Sequence, residues 1–538
     1  MNSIKNFKDF SVFVECSTGN TPTVNALKKY IDILSQFGYN VLYLGLTDAY
    51  KIKGEPYFNF CRGGYTTEQL QEIDKYAKSK GIELRANIQT LAHLDFMQRH
   101  RCYSDMFDID GILLAGDERV YAFIDKMFAT MSEGISSRTI HIGLDEAWRL
   151  GLGQYLTLHG YTEKKVILLS HLQRVVEIAR KFDYICEIWS DMFYRLVAGS
   201  DFNDDGVIPE DVRSSIPEGV RLTHWSYEQK EDALLRKQLQ QNKSICDEVI
   251  LAASAWKQIG LAPYNEYSIG AMERQIPICI EEGIDRYMIT LWSDNGAHCS
   301  IFAVLPALFA ATEMAKGKKR EEIDKARFKE IVGVEFDDFM LLDNLNNPFF
   351  KENPDINARC LFGLYSDVFL GSADLLLDPR SNEAYAALAE KYAQIDGGEY
   401  QLIFNDYKLY AKVLSIKMNL GVQTRKAYRE GNKALLTKYA TEEIPQLILY
   451  LQEYIENFNE RWLSENMGIG LEVHHMIYGG QLERLKYVAK RLLQHVEDGK
   501  PIDEMERDEL PPSYDEGITE DNCWAASFKT LVTSCHIY

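Results

Sequence analysis

The feature that most constrains the fold is an alternation of short β-forming runs with amphipathic helical stretches over residues 11–292. Eight such runs are found, at residues 11–16, 40–46, 83–88, 139–145, 184–189, 221–225, 248–254 and 287–292. Helical periodicity separates them, for example at residues 23–36, 67–79, 164–181 and 268–282. This alternation indicates βα units around a parallel sheet, and eight units match the size of a (β/α)8 TIM barrel. We therefore predict an α/β fold built on this barrel.

The residue pattern of the sequence changes after residue 300. From there to residue 494 the helical period dominates, with predicted helices at 302–316, 321–332, 357–370, 381–391, 401–430, 435–457 and 480–498. The chain has 538 residues with 46% hydrophobic content, which is enough for more than one hydrophobic core. We therefore expect a catalytic barrel over residues 1–320 and an α-helical C-terminal domain over residues 321–538.

Charge and cysteine content restrict the partners and the compartment. The formal net charge of -21 repels phosphate backbones and anionic lipids, so we expect neither nucleic acid nor membrane as a partner. The ten cysteines are scattered without a CxxC pair, which is typical of reduced thiols. Neither a signal peptide nor an apolar segment of ~18 residues is evident. We expect a soluble cytoplasmic protein, and a homo-oligomer is compatible with the sequence.

The stretch RTIHIGLDEAW, residues 138–148, carries two adjacent acids, Asp145 and Glu146. Neighbouring side chains of a strand point to opposite faces, so both acids can serve one site only if the strand stops near Asp145. That geometry occurs at the carboxyl ends of barrel strands, where such folds keep their active sites. An acidic pair on a solvated loop is a common alternative.

A metal site is a further alternative, because His141 together with Asp145 and Glu146 offers three ligands. Hydrolytic metal sites usually draw ligands from several elements, and the sequence shows no second cluster of spaced histidines and carboxylates. We expect no metal and no cofactor. His141 itself is either a satisfied core histidine or part of a hydrogen-bond chain behind the acids.

Aromatic and polar side chains recur at the ends of the later predicted strands. They are Trp189 with Asp191, Trp225 with Tyr227, Trp256, and Trp292 with Asp294. A tryptophan at a strand end is most often part of the core. Flat apolar rings beside carboxylates at successive strand ends are, however, what a sugar requires, since its CH faces stack and its hydroxyls hydrogen-bond.

Several motifs resemble one known family. They are EPYFNFCRGGYT (55–66), IQTLAHL (88–94), HIGLDEA (141–147), GLGQY (151–155), IWSDMF (188–193), AWKQIGLAP (255–263) and LWSDNGAHCS (291–300). Together they resemble a family 20 glycoside hydrolase, a β-N-acetylhexosaminidase of the bacterial type with a helical C-terminal domain. The H-x-G-x-D-E signature before a loop is the most specific of these matches.

The resemblance implies an exo-acting, retaining enzyme that uses substrate-assisted catalysis, an exception to the usual pair of opposed carboxylates. Glu146 would be the general acid and then the base, whereas Asp145 would orient the 2-acetamido group whose oxygen is the nucleophile. Trp189, Trp256 and Trp292 would wall the sugar. A tyrosine would hold the acetamide oxygen, and the sequence does not choose between Tyr227 and Tyr264.

The substrate implied is a terminal β-linked N-acetylglucosamine or N-acetylgalactosamine of an oligosaccharide or glycoconjugate, and His93 and His298 complete the expected binding residues. The chain departs from the family at Ser17-Thr18-Gly19, where relatives carry an arginine, and at Thr47 and His298, where relatives carry acids. Either these changes are neutral or compensated by Glu15, Arg62 or Trp148, or the sugar is modified or epimeric, for instance anionic at carbon 6.

Two other classes of function remain open at this point. A carbohydrate-binding pseudoenzyme can use the same barrel, because a fold does not determine a function. The presence of both Asp145 and Glu146 favours an enzyme over such a binder. A metal-dependent barrel hydrolase is the other alternative, and loss of turnover in a chelator would identify it.

Overall fold

The structure is a computed structural model that describes residues 4, 6–198, 207–227, 231–294, 296–352, 356, 358–506, 528–533 and 535. The chain divides into two compact units. The first consists of Met1–Ala255, Ser268–Trp292 and Ala307–Asp324, and the second of Trp256–Tyr267, Ser293–Pro306 and Lys325–Tyr538. The expected boundary at residue 320 is close to the last of these divisions, but two segments that follow barrel strands belong to the second unit.

The strands of the first unit form a closed parallel barrel. In chain order the described strands are β1 (Asp9–Glu15), β2 (Val41–Thr47), β3 (Glu83–Ile88), β4 (Phe107–Ile109), β5 (Ile112–Leu113), β6 (Thr139–His141), β7 (Ile185–Trp189), β8 (Arg221–Trp225), β9 (Val249–Ser254) and β10 (Arg286–Leu291). The barrel order is β1-β2-β3-β6-β7-β8-β9-β10, with β10 paired to β1, whereas β4 and β5 form a separate antiparallel pair. The predicted TIM barrel is confirmed.

The fourth predicted strand differs most from the structure. It was expected over 139–145, but β6 ends at His141. Gly143, Leu144 and Glu146 have φ values of 72°, 69° and 53°, in the left-handed region where a strand cannot continue. The chain therefore leaves the barrel wall before it reaches the two acids.

Helices connect the barrel strands. They are Val24–Phe37, Thr67–Ser79, Asp95–Gln98, Arg101–Ser104, Glu118–Gly134, Gln154–His159, Lys164–Arg180, Glu210–Arg213, Asp232–Ile245, Asn265–Glu281 and Leu305–Ala315, with a π-helix at Phe193–Ala198 and a 3-10 helix at Ile301–Val304. Thr66 and Gln69 form a reciprocal capping box that fixes the start of the second of these helices. The predicted helices 67–79 and 164–181 match to within a residue at each end.

The second unit is helical, as predicted. Its helices include Lys325–Val332, Phe336–Met340, Arg359–Tyr365, Ser381–Tyr392, Gln401–Arg429, Lys433–Lys438, Ile444–Glu465, Leu471–Asp498 and Phe528–Leu531. The helix expected at 435–457 is interrupted by a π-helix at Tyr439–Glu443, and Pro445 lies in the first turn of the α-helix that follows. Pro445 has no N–H to offer to the preceding turn, which explains the break. Within the described residues, no helix is both long and apolar enough to cross a membrane.

The barrel interior contains a buried charged layer. Arg85 donates to the Asp9 carboxylate and to the Tyr43 hydroxyl, both at 2.8 Å. The Tyr43 hydroxyl in turn donates to Glu187 at 2.7 Å, and Arg221 lies 3.3 Å from the same carboxylate. Every charge in this layer thus faces an opposite charge, as buried ions require.

An aromatic layer packs in the same interior. Phe13, Val41, Tyr43, Trp189, Ile250, Ala252 and Met288 form one buried cluster, and Trp225 and Trp292 pack against it. Trp189 and Trp225 are the last residues of β7 and β8, and Trp292 follows β10 directly. The aromatic layer therefore reaches the carboxyl ends of the strands.

Candidate active site

The two adjacent acids meet at one imidazole. His93, on the loop after β3, places its Nε2 3.2 Å from Asp145 Oδ2 and 3.8 Å from Glu146 Oε2. The left-handed turn at Glu146 makes this convergence possible, because it redirects the second side chain. The structure thus brings His93, Asp145 and Glu146 together at the carboxyl end of the barrel.

Asp145 is the more buried acid and is held as an anion. Its side chain is 15% exposed, and Gln89 donates from Nε2 to Asp145 Oδ1 at 3.0 Å. Burial raises the pKa of Asp145, but the charge and hydrogen bond of His93 and the hydrogen bond of Gln89 outweigh burial and lower it. Asp145 is therefore an ionised acceptor at neutral pH.

Glu146 has the opposite character. Its side chain is 43% exposed. Burial and the neighbouring Asp145 charge raise the pKa of Glu146, against smaller opposing effects of His93 and Arg195. Two neighbouring carboxyls whose pKa values are pushed apart are the arrangement that separates an acid from an anionic partner.

Asp191 is a third acid in this cluster and was not among the predicted site residues. It is fully buried, and its Oδ2 accepts a hydrogen bond from the Glu146 backbone N–H at 3.1 Å. Burial, followed by the Asp145 charge, raises the pKa of Asp191. Its position within the IWSDMF motif was the available sequence signal.

His141 lies behind the turn that carries the acids. Its Nδ1 accepts hydrogen bonds from Asn87 Nδ2 at 2.9 Å and from the Gly143 N–H at 3.2 Å. Burial lowers the pKa of His141 to about 3, so the imidazole is neutral with its proton on Nε2. The ring also lies 4.5 Å from that of Trp189. His141 is thus a fully buried histidine that supports the turn.

Aromatic rings form a wall next to this cluster. Trp292 lies 4.8 Å from Phe13 and 5.9 Å from Trp189, measured between ring centroids. Its Nε1 donates to the Tyr227 hydroxyl at 2.7 Å. Trp225 stacks on Tyr227 with centroids 5.3 Å apart. These four predicted residues, Trp189, Trp225, Tyr227 and Trp292, therefore form one connected surface.

The other four predicted binding residues belong to the second unit. Trp256 is buried, accepts the Tyr264 N–H at its carbonyl and packs its ring near Tyr267. Tyr264 is buried with its ring 5.6 Å from Phe350. Asp294 is exposed on a turn. His298 is buried, with Nε2 3.2 Å from the Tyr365 hydroxyl. A role for each in substrate binding stays a prediction.

Arg62 lies close to the carboxyl ends of the first two barrel strands. Its guanidinium donates to the Ser17 carbonyl, which follows β1, and pairs with Asp48, which follows β2, at 2.5 Å between Nε and Oδ2. The guanidinium also lies 3.6 Å from the centroid of the Phe96 ring. Of the three compensating residues considered from the sequence, Arg62 is thus the one whose contacts join the ends of β1 and β2.

Among the residues that the structure describes, no group of three or more His, Cys, Asp or Glu side chains is arranged to hold a metal ion. His141 contacts Asn87 and Gly143 through Nδ1, as described above.

The chain matches two family descriptions and is similar to individual known proteins. The family described as "Glycosyl hydrolase family 20, catalytic domain" matches residues 20–246, and "Glycoside Hydrolase 20C C-terminal domain" matches residues 337–524. Hexosaminidase D of Homo sapiens is 24% identical over 252 residues, covering 44% of this chain and 49% of that protein. Hexosaminidase D of Bos taurus is 23% identical over 221 residues, covering 39% and 60%. The chain thus spans about half the length of the human relative.

Solved structures give matches of lower identity. The exo β-N-acetylglucosaminidase from Vibrio harveyi, in complex with N-acetylglucosamine, is 15% identical with a TM-score of 0.46, covering 63% of this chain and 58% of that one. A Streptomyces plicatus β-hexosaminidase mutant in complex with its product is 17% identical with a TM-score of 0.46, covering 61% and 69%. The two family matches lie on the barrel and on the helical region respectively, and the chain belongs to glycoside hydrolase family 20.

Proposed function

We propose that this protein is an exo-acting, retaining β-N-acetylhexosaminidase that works by substrate-assisted catalysis. The observation that carries the proposal is the pair of adjacent carboxyls at one imidazole, with the pKa of Asp145 lowered and that of Glu146 raised. Acids that share one histidine lie side by side and do not face each other across a sugar ring. The nucleophile then has to come from the substrate.

Glu146 donates its proton to the glycosidic oxygen as the bond to the anomeric carbon breaks. The acetamide oxygen of the substrate attacks that carbon from the other face and forms an oxazolinium-like intermediate. Asp145 accepts a hydrogen bond from the acetamide N–H, which orients the group and stabilises the positive charge. Glu146, now ionised, takes a proton from water as the water opens the intermediate, so the configuration is retained.

Tyr227 is the better candidate for holding the acetamide oxygen. Its hydroxyl accepts the hydrogen bond of Trp292 Nε1, which orients the hydroxyl proton toward another acceptor. Tyr264 has its ring against Phe350 within the second unit. The wall of Trp189 and Trp292 would exclude water and hold the acetamide near the anomeric carbon.

The sugar is a terminal β-linked N-acetylglucosamine or N-acetylgalactosamine, plain or modified. The contacts of Arg62 with Ser17 and Asp48 support a charged grip on the outer hydroxyls, which favours a plain sugar. The burial of His298 next to Tyr365 gives less support to the alternative in which His298 donates to an anionic group at carbon 6.

The test is a panel of 4-nitrophenyl β-glycosides that differ only at carbons 2, 4 and 6. We expect hydrolysis of the 2-acetamido sugars, little hydrolysis of the matching β-glucoside, and release of product with retained configuration. Asp145→Asn should lower kcat by about 10²- to 10³-fold and change KM less, because its hydrogen bond strengthens in the transition state. A β-glucoside hydrolysed as well as the acetamido sugar contradicts the mechanism, and no hydrolysis of any member identifies a binding protein.

A further inference from the structure

Trp148 is an exposed tryptophan placed two residues after the general acid. Its side chain is 45% exposed, whereas Trp189, Trp256 and Trp462 are buried. The Trp148 N–H donates to the Glu146 carbonyl at 2.8 Å, so the indole is tied to the same turn as the acid. The left-handed φ of 53° at Glu146 fixes this turn further. The backbone therefore holds Trp148 on the turn that carries the acid.

The position of Glu146 indicates where the leaving group of the substrate lies. A general acid must reach the glycosidic oxygen, and that oxygen departs with the leaving group. The Glu146 side chain is 43% exposed, so the leaving group is on the solvent side of the acid. A ring that shares the turn of Glu146 and faces solvent is thus positioned beside the leaving group.

A cationic side chain covers one face of this ring. The Arg195 guanidinium lies 3.7 Å from the centroid of Trp148, which leaves the exposed area to the other face and the edges. Lys164 Nζ donates to the backbone carbonyl of the same residue at 2.6 Å. In a chain of net charge -21, these two cations at Trp148 make a local site for an anion.

We propose that Trp148 and Arg195 bind the leaving-group sugar, and that this sugar is a hexopyranose carrying an anionic group. The proposal rests on the proposed hydrolase function and adds the substrate class on the leaving-group side. The CH face of the pyranose stacks on the open face of the indole. The guanidinium, which lies over the other face, presents its N–H groups to a carboxylate or a sulfate of the sugar.

The charge of such a sugar also assists the acid. Arg195 acts to lower the pKa of Glu146, which by itself favours the ionised form that cannot donate a proton. An anionic group next to Arg195 offsets that influence and keeps Glu146 protonated for transfer. An acidic leaving sugar should therefore improve kcat as well as KM.

The experiment uses the full chain and four substrates that share the N-acetyl-β-glucosaminyl group. One is the glycosyl fluoride, which has no leaving sugar, and three are disaccharides with glucose, glucuronic acid or glucose 6-sulfate as the leaving sugar. We expect kcat/KM to be about tenfold higher or more for the acidic disaccharides than for the glucose one, as one charge-assisted hydrogen bond allows. The uronate and sulfate arms identify which anion is preferred.

Two substitutions at each residue test Trp148 and Arg195 separately. Trp148→Ala should lower kcat/KM for the disaccharides by about tenfold more than for the fluoride, and Trp148→Phe should recover part of this difference. Arg195→Gln should remove the preference for the acidic sugars, and Arg195→Lys should keep part of it. Tyr487→Ala is the matched control, because Tyr487 is an exposed ring with the guanidiniums of Arg484 and Arg491 over it in the second unit.

The outcomes separate the two proposals. Disaccharide-to-fluoride ratios that stay at the wild-type value in Trp148→Ala, or a wild-type preference for the neutral disaccharide, overturn this inference alone, provided that the fluoride is hydrolysed. A wild-type enzyme that does not hydrolyse the fluoride overturns the proposed function and this inference with it. Thermal melting of each variant verifies that it is folded, and Trp148→Phe carries the test if Trp148→Ala does not fold.

Discussion

The barrel carries two groups of charges that differ in how they are balanced, one buried in its interior and one at the carboxyl ends of its strands. In the charged layer below the rings, Arg85 and Arg221 face Asp9 and Glu187, so each acid has an arginine. At the carboxyl ends of the strands, Asp145, Glu146 and Asp191 gather near His93, the imidazole that two of them contact directly. Pairs of opposite charges have a structural role. Acids that lie close together have pKa values that are pushed apart, and a reaction can use that difference for proton transfer.

The two regions also differ in backbone conformation. The charged layer is built from residues within regular strands, such as Arg85 in β3 and Glu187 in β7. The acids lie on a turn where Leu144 and Glu146 adopt left-handed backbone angles that non-glycine residues seldom take. We expect substitutions in the first region to affect folding and those in the second to affect catalysis.

The largest effect is expected for Glu146→Gln. The amide keeps the shape of the acid but cannot donate a proton to the leaving oxygen, so kcat/KM should fall by about 10²- to 10⁴-fold on substrates with a poor leaving group. The loss should be smaller on 2,4-dinitrophenyl glycosides, which leave without protonation. Denaturant unfolding of the variant should match that of the wild type. Equal losses on both leaving-group types would remove Glu146 from the acid role.

Arg85→Met should give the opposite pattern in the charged layer. It leaves Asp9 and Glu187 buried without their shared cation, and the free energy of unfolding should fall by about 3–5 kcal/mol. Urea unfolding measures the loss, and kcat/KM per folded molecule should stay at the wild-type value. Adding Glu187→Gln should restore part of the stability. A variant that is stable but inactive would show that the two regions are not separate in function.

The sequence predicted the features that depend on local patterns. The eight barrel strands were found because each is a short β-forming run between helical stretches, and the same holds for the helix at Thr67–Ser79 with its capping box. The Asp145–Glu146 pair was found because a strand-to-loop change is visible in RTIHIGLDEAW. The end of β6 at His141 was missed, since Leu144 adopts a left-handed angle that a non-glycine residue seldom takes and that the local pattern does not signal.

The sequence could not predict contacts between distant residues. Gln89 reaches Asp145 across 56 residues, and Asp191 reaches the Glu146 N–H across 45. His298 contacts Tyr365 through its imidazole and accepts from Arg461 at its carbonyl, 67 and 163 residues away, and its predicted role in substrate binding stays a prediction. No local periodicity encodes such pairs, because they depend on how separate elements pack.

A smaller effect is expected at Asp191, which positions the acid through its backbone. Asp191→Ala removes the acceptor of the Glu146 N–H and should lower kcat by about 10- to 100-fold, the range for an unsatisfied buried donor. Asp191→Asn keeps an acceptor oxygen and should retain most of kcat. KM should change little in both variants. Equal loss in the two variants would show that the charge of Asp191, and not its hydrogen bond, is what the site needs.

The smallest effect is expected for the pH dependence of the free energy of unfolding. The arginines of the charged layer keep their charge across the working pH range. His93 can lose its proton. Burial lowers the pKa of His93, but Asp145, its hydrogen bond and then Glu146 and Asp191 outweigh burial and raise it from 6.5 to about 9. Its imidazole is 40% exposed, so solvent screens the interaction and the effect is modest.

A pKa that is higher in the folded state than in the unfolded chain stabilises the fold below the unfolded value and loses that contribution as pH rises through the folded value. The difference in unfolding free energy between wild type and His93→Gln should therefore be constant below pH 6.5 and should decrease between pH 6.5 and about 9. Urea unfolding at half-unit pH steps measures it. A flat curve for His93→Gln would mean that the imidazole is not charged by the acids around it, and the contrast between the two groups would then rest on geometry alone.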